Sequence, residues 1–164
     1  MHVLLTGEPR SGKSTLLCSI IEKKPVRTGL ITLEVLNNGI RTGFEVVSST
    51  GKRALLASIT LESPIRVGKY FVHVQEFEAL LDELFIYTPK DFLYLDEIGE
   101  MQLLSPKFID LTRQYIASDN KGVGTISLVH TSDFLNELRE NPEIKIVEVT
   151  SENRDILVSD ILAL

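Results

Sequence analysis

The chain has 164 residues, 43% hydrophobic and 24% charged, with a net charge of −6 from 17 Lys and Arg against 23 Asp and Glu. That length suits one domain and buries roughly 70% of the unfolded chain's surface, so a core forms without staples, while the lone Cys18 excludes an internal disulfide or a cysteine-cluster metal site. The acidic balance argues against nucleic acid as the main partner. Apolar runs such as "FLYL" are too short to cross a bilayer, and "HVLLTG" carries no export signal, so the expectation is a soluble, cytoplasmic monomer.

In chain order, "HVLL" reads as a strand, "GEPRSGKST" (Gly7 to Thr15) as a glycine-bounded loop, and "KSTLLCSIIEKK" as a helix that stops before Pro25. Cys18 inside that helix is a small packed side chain. Between about residues 28 and 74 the pattern becomes β-rich, with strands over "GLITLEVL", "IRTGFEVV", "RALLASI" and "YFVHV". Asn38-Gly39 between the first two suits a tight hairpin whose central residues both take positive φ.

The second half alternates helix and strand. "FEALLDELF" places Phe77, Leu80, Leu81, Leu84 and Phe85 on one helical face, and "FLYLD" follows as a buried strand. Ser105-Pro106 reads as an N-cap with proline at the first helical position. Then come the strand "VGTISLV", the helix "SDFLNELRE", the strand "EIKIVEV" and the closing helix of "SENRDILVSDIL". This alternation predicts an α/β fold, a mostly parallel sheet with helices on both faces, in one domain over residues 1–164 with the β-rich insertion after the first helix.

Gly7-x-x-x-x-Gly12-Lys13-Ser14 fits the Walker A pattern, and it has the strand before and the helix after that the pattern requires. In such a loop the glycines let successive backbone N–H groups point inward at phosphate oxygens, and the helix N-terminus adds its positive dipole end. Lys13 is then expected on the β- and γ-phosphates, Ser14 on Mg²⁺ and Thr15 on the α-phosphate. A glycine turn that merely starts a helix is the plain alternative. "FLYLDEIG" supplies acids at the C-terminal end of a strand, where open α/β sheets place ligands. Asp96 is the candidate for the metal and Glu97 for polarising the attacking water, against the alternative of a solvated acidic loop.

The candidate contact set for a nucleoside triphosphate is Gly7, Glu8, Pro9, Arg10, Ser11, Gly12, Lys13, Ser14 and Thr15, with Asp96, Glu97, Gly99, Asn153 and Arg154. Lys13 and Glu97 are the catalytic candidates, Ser14 and Asp96 the metal candidates. Arg10 either leans on the γ-phosphate or faces solvent. Glu34, Arg41, Lys52, Arg53 and Lys69 either form a lid or face outward, and Asn153 and Arg154 either wall the base or simply open a helix. His2, His73 and His130 have no ligand spacing.

From about Val3 to Asp155 the chain resembles the small P-loop family known as the thermophile-type or cancer-related nucleoside-triphosphatases. The resemblance rests on "GEPRSGKST", "GLITLEV", "RTGFEVV", "VGKY", "LDEIGEMQL" and "EVTSENRD", in the family's order. It implies a RecA-like sheet and slow, Mg²⁺-dependent hydrolysis of ATP, GTP, CTP and UTP with little choice among bases. Two departures stand out. Glu100 and Gln102 occupy the lysine and second acid of the family's D-E-I-G-K-M-E, and Arg10 replaces a glycine, so its backbone is expected to avoid positive φ. Two other classes use the same cradle: a small-molecule or nucleic-acid kinase, and a nucleotide-gated binding module.

Overall fold

Side chains of the first strand alternate between two cores, and this alternation sets the layers of the molecule. The computed structural model describes residues 1–163. In β1 (His2–Thr6), Val3 and Leu5 pack on α1 (Lys13–Ile21) and α5 (Arg154–Ala163). Leu4 faces the other way, into the larger core beneath α2 (Val74–Leu81), α3 (Pro106–Ala117) and α4 (Asp133–Glu140). Helices therefore cover both faces of the sheet, as the alternating pattern predicts. Leu17, Ile20, Phe77 and Phe108 have no exposed surface, and burying each such side chain is worth about 1.5–3 kcal/mol.

The remaining strands are β2 (Arg27–Asn37), β3 (Ile40–Ser48), β4 (Arg53–Ser58), β5 (Ile65–Val67), β6 (Tyr70–Val72), β7 (Phe92–Ile98), β8 (Gly122–Ile126) and β9 (Ile144–Glu148). They form one nine-stranded sheet in the order β5-β6-β4-β3-β2-β7-β8-β1-β9. From β2 to β9 every pairing is parallel, and from β2 to β5 every pairing is antiparallel. The sheet is thus evenly mixed rather than mostly parallel. The β-rich segment extends the parallel sheet from its β2 edge, because β2 is long enough to pair with β7 near its start and to run on into a hairpin with β3.

Local signals place most elements. Asn38 and Gly39 turn the β2–β3 hairpin at φ of 50° and 77°. The Ser105 hydroxyl caps α3 by accepting from the Phe108 amide at 3.0 Å, with Pro106 in the first turn. The helix predicted around "FEALLDELF" begins earlier, at Val74, and tightens into a 3₁₀ turn over Asp82–Phe85. The three-residue edge strand β5 has no expectation behind it, being too short to show a period. Among the described residues no helix is long and apolar enough to cross a membrane.

Candidate active site

The loop between β1 and α1 lies at the C-terminal edge of the parallel strands, and its backbone is bent by three residues in left-handed or wider conformations. Gly7 takes φ of 141° and Gly12 takes 98°. A Cβ on Gly7 would stand 2.6 Å from the Val149 carbonyl oxygen, so no larger residue fits there. The third residue is Arg10, at φ of 64°. This corrects the expectation that an arginine would hold the loop out of positive φ: the loop keeps its curl, and the residue accepts a cost of about 1–2 kcal/mol.

Lys13, the first residue of α1, folds back over the loop and donates from Nζ to the carbonyl oxygens of Gly7 and Glu8, both at 2.9 Å. An ammonium has three donors, so one remains for another acceptor. Ser14 and Thr15 stand exposed in the first turn of α1, where backbone N–H groups have no partner within the helix. The Ser14 hydroxyl donates to Asp96 Oδ1 at 3.1 Å, joining the loop to the end of β7.

Asp96 is only 2% exposed. Its Oδ1 also accepts from Thr125 Oγ1 at 2.5 Å, and its backbone carbonyl accepts from Thr32 at 2.7 Å. Burial pushes the Asp96 carboxyl above the ordinary carboxylate range, while the Thr125 and Ser14 hydroxyls and the charge of Lys13 oppose that shift. Glu97 is raised as well, first by burial and then by the neighbouring charge of Asp96. No hydrogen bond from a described residue lowers it. The two acids therefore differ: Asp96 is bound on several sides, and Glu97 is a half-buried carboxylate facing open space.

That space is a cavity of about 490 Å³, lined by the loop and α1 from Gly7 to Thr15 except Glu8 and Ser11, and by Glu34, Arg41, Phe44, Glu97, Ser127, Leu128, Val129 and Arg154. Several sequence-predicted candidates are thereby brought together: Gly7, Pro9, Arg10, Gly12, Lys13, Ser14, Thr15, Glu97 and Arg154. Asp96 lies behind Ser14, and Glu8 contributes the carbonyl that holds Lys13. Ser11 turns its hydroxyl into the protein, where it has no partner among the described residues. Gly99 belongs to a neighbouring hollow. Asn153 is occupied elsewhere, its side chain accepting from the Thr150 amide at 2.8 Å and donating to the Glu148 carbonyl at 2.9 Å.

The charged residues of the β-rich segment divide. Arg41 and Glu34 reach the cavity as a pair 3.0 Å apart, and Arg41 also donates from Nε to Tyr70 Oη at 2.9 Å and lies over the Phe44 ring at 5.1 Å. Lys52 pairs with Glu83 at 2.6 Å, Arg53 pairs with Glu45, and Lys69 sits over the Tyr70 ring. Sequence reading missed Thr125 and Phe44. The signal for Thr125 was a hydroxyl inside the apolar strand "VGTISLV", which is costly to bury without a partner; nothing in the sequence pointed Phe44 at this cavity.

The chain is 38% identical to the nucleoside-triphosphatase THEP1 of Aquifex aeolicus, covering 100% of this chain and 98% of the relative. It is 34% identical to the human cancer-related nucleoside-triphosphatase, covering 98% and 94%. The crystal structure of the Aquifex aeolicus THEP1 superposes with a TM-score of 0.88 at 37% identity, over 99% of this chain and 98% of that one. The family model described as NTPase matches residues 2–162, and the chain belongs to that NTPase family.

Proposed function

We propose that this protein hydrolyses nucleoside 5′-triphosphates to the diphosphate and phosphate, with Mg²⁺ as its metal and broad tolerance of the base. The observation that carries this reading is the convergence on one cavity of the Lys13 ammonium, the Ser14 hydroxyl held by Asp96, and a Glu97 carboxylate that accepts no hydrogen bond from a described residue. The nucleoside-triphosphatase names of the relatives support the same activity.

In this mechanism the loop amides and Lys13 hold the phosphates in line, and Glu97 takes a proton from water as the water oxygen bonds to the γ-phosphorus. The bond from that phosphorus to the bridging oxygen breaks, and the electron pair leaves on the diphosphate. Such transfers depend on positioning and on stabilising charge spread over the phosphoryl oxygens. The donor set suits a hard cation. Ser14 and Asp96 offer only oxygens, and among the described residues no group of three His, Cys, Asp or Glu side chains could cage an ion. That matches Mg²⁺, which keeps water and substrate phosphate as most of its ligands and neutralises phosphate charge when bound. Asp96, being buried, would act through Ser14 and water. What supports base tolerance is the Phe44 ring in the lining, since stacking on an aromatic face accepts any base.

The test is phosphate release from ATP, GTP, CTP and UTP with and without Mg²⁺. The expected result is release from all four, dependent on the metal, with kcat/KM values within roughly a hundredfold, the discrimination below which no dedicated polar pocket is needed. A single accepted base, or release without divalent metal, would overturn the reading.

A further inference from the structure

Glu97 lines two cavities. Besides the phosphate-loop cavity, it borders a second one of about 220 Å³, lined also by Phe44, Leu56, Val67, Met101, Gln102 and His130. Phe44, Glu97, Ser127 and Val129 are common to both, so the two spaces meet at the carboxylate. Hydrolysis alone gives no reason for the second space. A water needs roughly 10–15 Å³ of such volume and two or more polar partners, and this cavity is many times larger, with Phe44, Leu56, Val67, Met101 and Val129 as the apolar part of its lining.

The polar groups around it are largely committed. Gln102, 4% exposed, donates from Nε2 to Thr32 at 3.2 Å, Thr32 donates to the Asp96 carbonyl, and the Ser127 hydroxyl accepts from the His130 amide at 3.0 Å. Among the described residues two carboxylates, Glu97 and Glu100, border the cavity, and no Lys or Arg does. The volume is below that of a drug-sized pocket, which starts near 300 Å³. Shape and charge together specify a small molecule with an apolar body, a hydroxyl and a positive charge.

We propose that this second cavity is an acceptor site for a small amino alcohol, whose hydroxyl takes the place of water at Glu97. The inference rests on the triphosphate reading above and extends it from hydrolysis to phosphoryl transfer. The acceptor hydroxyl gives its proton to Glu97, its oxygen bonds to the γ-phosphorus, and the bond to the bridging oxygen breaks with its electron pair on the departing diphosphate. The products are a phosphate monoester and the nucleoside diphosphate, with the proton passing from Glu97 to solvent. No oxidant or reductant is required.

The experiment follows turnover of Mg²⁺-ATP by ³¹P NMR in the presence of phenylalaninol, which has an aromatic body, one hydroxyl and an ammonium, or of phenyllactate, which carries a carboxylate instead. The parent protein and Val67→Trp are compared; Val67 is half-buried on the edge strand β5 at the margin of the larger core, so a larger side chain there fills the second cavity, and a retained melting transition shows that the variant is folded. The expected result is a phenylalaninol monoester signal beside inorganic phosphate, absent with phenyllactate and lost in Val67→Trp. Inorganic phosphate with no monoester overturns the acceptor site while leaving hydrolysis standing. A monoester that survives Val67→Trp undiminished, or that forms from phenyllactate alone, also overturns it. Absence of both products refutes the triphosphate reading itself.

Discussion

Replacing Thr125 by Val tests how the buried Asp96 carboxylate is kept charged. Valine nearly matches threonine in shape but removes the hydroxyl that donates to Asp96 Oδ1 at 2.5 Å. A hydrogen bond to a charged group contributes about 1.5–3 kcal/mol, and one between neutral groups about 0.5–1.5 kcal/mol. At 2% exposure Asp96 has little water to replace the lost donor, and Ser14 at 3.1 Å is its one remaining side-chain hydroxyl. The loss should therefore be about 1.5–3 kcal/mol at neutral pH, which for a chain of 164 residues lowers Tm by about 4–9 °C. The pH dependence follows from the raised pKa. The folded state holds the Asp96 proton to higher pH than the unfolded chain, whose carboxyl titrates near 3.8, so the charged, penalised form appears only as pH rises above that value through the folded pKa. As pH falls the carboxyl becomes neutral, and the cost of Thr125→Val should shrink by about half. Urea unfolding of both proteins without metal, at pH 8 and again at the most acidic pH at which both remain folded, measures this. A penalty below about 0.5 kcal/mol, or one that grows toward acid, would refute the role given to Thr125.

Two further outcomes are expected. His2 is 4% exposed with Nε2 unpartnered among the described residues, and burial followed by the N-terminal charge lowers its pKa to about 4 from an ordinary 6.5. Stability from keeping it neutral is present above pH 6.5 and lost as pH falls toward 4, up to about 3 kcal/mol; His2→Gln should flatten that slope in urea titrations, and an unchanged slope contradicts the assignment. Arg10→Gly should be more stable than Arg10→Ala by about 1 kcal/mol, because only glycine is relieved at φ of 64°, and a more stable alanine variant would show the loop unstrained.

What the sequence made legible was whatever depends on local spacing. The loop from Gly7 to Ser14, the Asn38-Gly39 turn, the Ser105 cap and the acids at the end of β7 all rest on residues within a few positions of one another, and all lie where that spacing predicts. What depends on the sheet's path across the molecule was not legible. Thr125 meets Asp96 only because β8 pairs with β7, and Arg41 reaches the cavity only because β3 folds back on a long β2. Arg10 shows a second limit: intrinsic backbone preference predicted a loop without positive φ at that residue, and the folded loop takes it there. The Asn153 amide is engaged in the turn into α5, through bonds to the Thr150 amide and the Glu148 carbonyl that its place at a helix start did not announce.

The central claim is that Asp96 and Glu97 divide the work, one on the metal and one on the attacking water, and single-turnover hydrolysis by Glu97→Gln tests it most directly. The amide keeps the side chain's shape in the half-buried position and removes a negative charge facing the γ-phosphate, so Mg²⁺-ATP affinity should be kept or improved. Loss of the base should slow the chemical step about 10²- to 10⁴-fold, or roughly 3–5 kcal/mol of barrier. Asp96→Asn in the same assay should instead weaken the response to Mg²⁺ along with the rate, since Asp96 holds Ser14. A Glu97→Gln protein that turns over bound ATP within about threefold of the parent, far less than loss of a general base costs, would contradict the account.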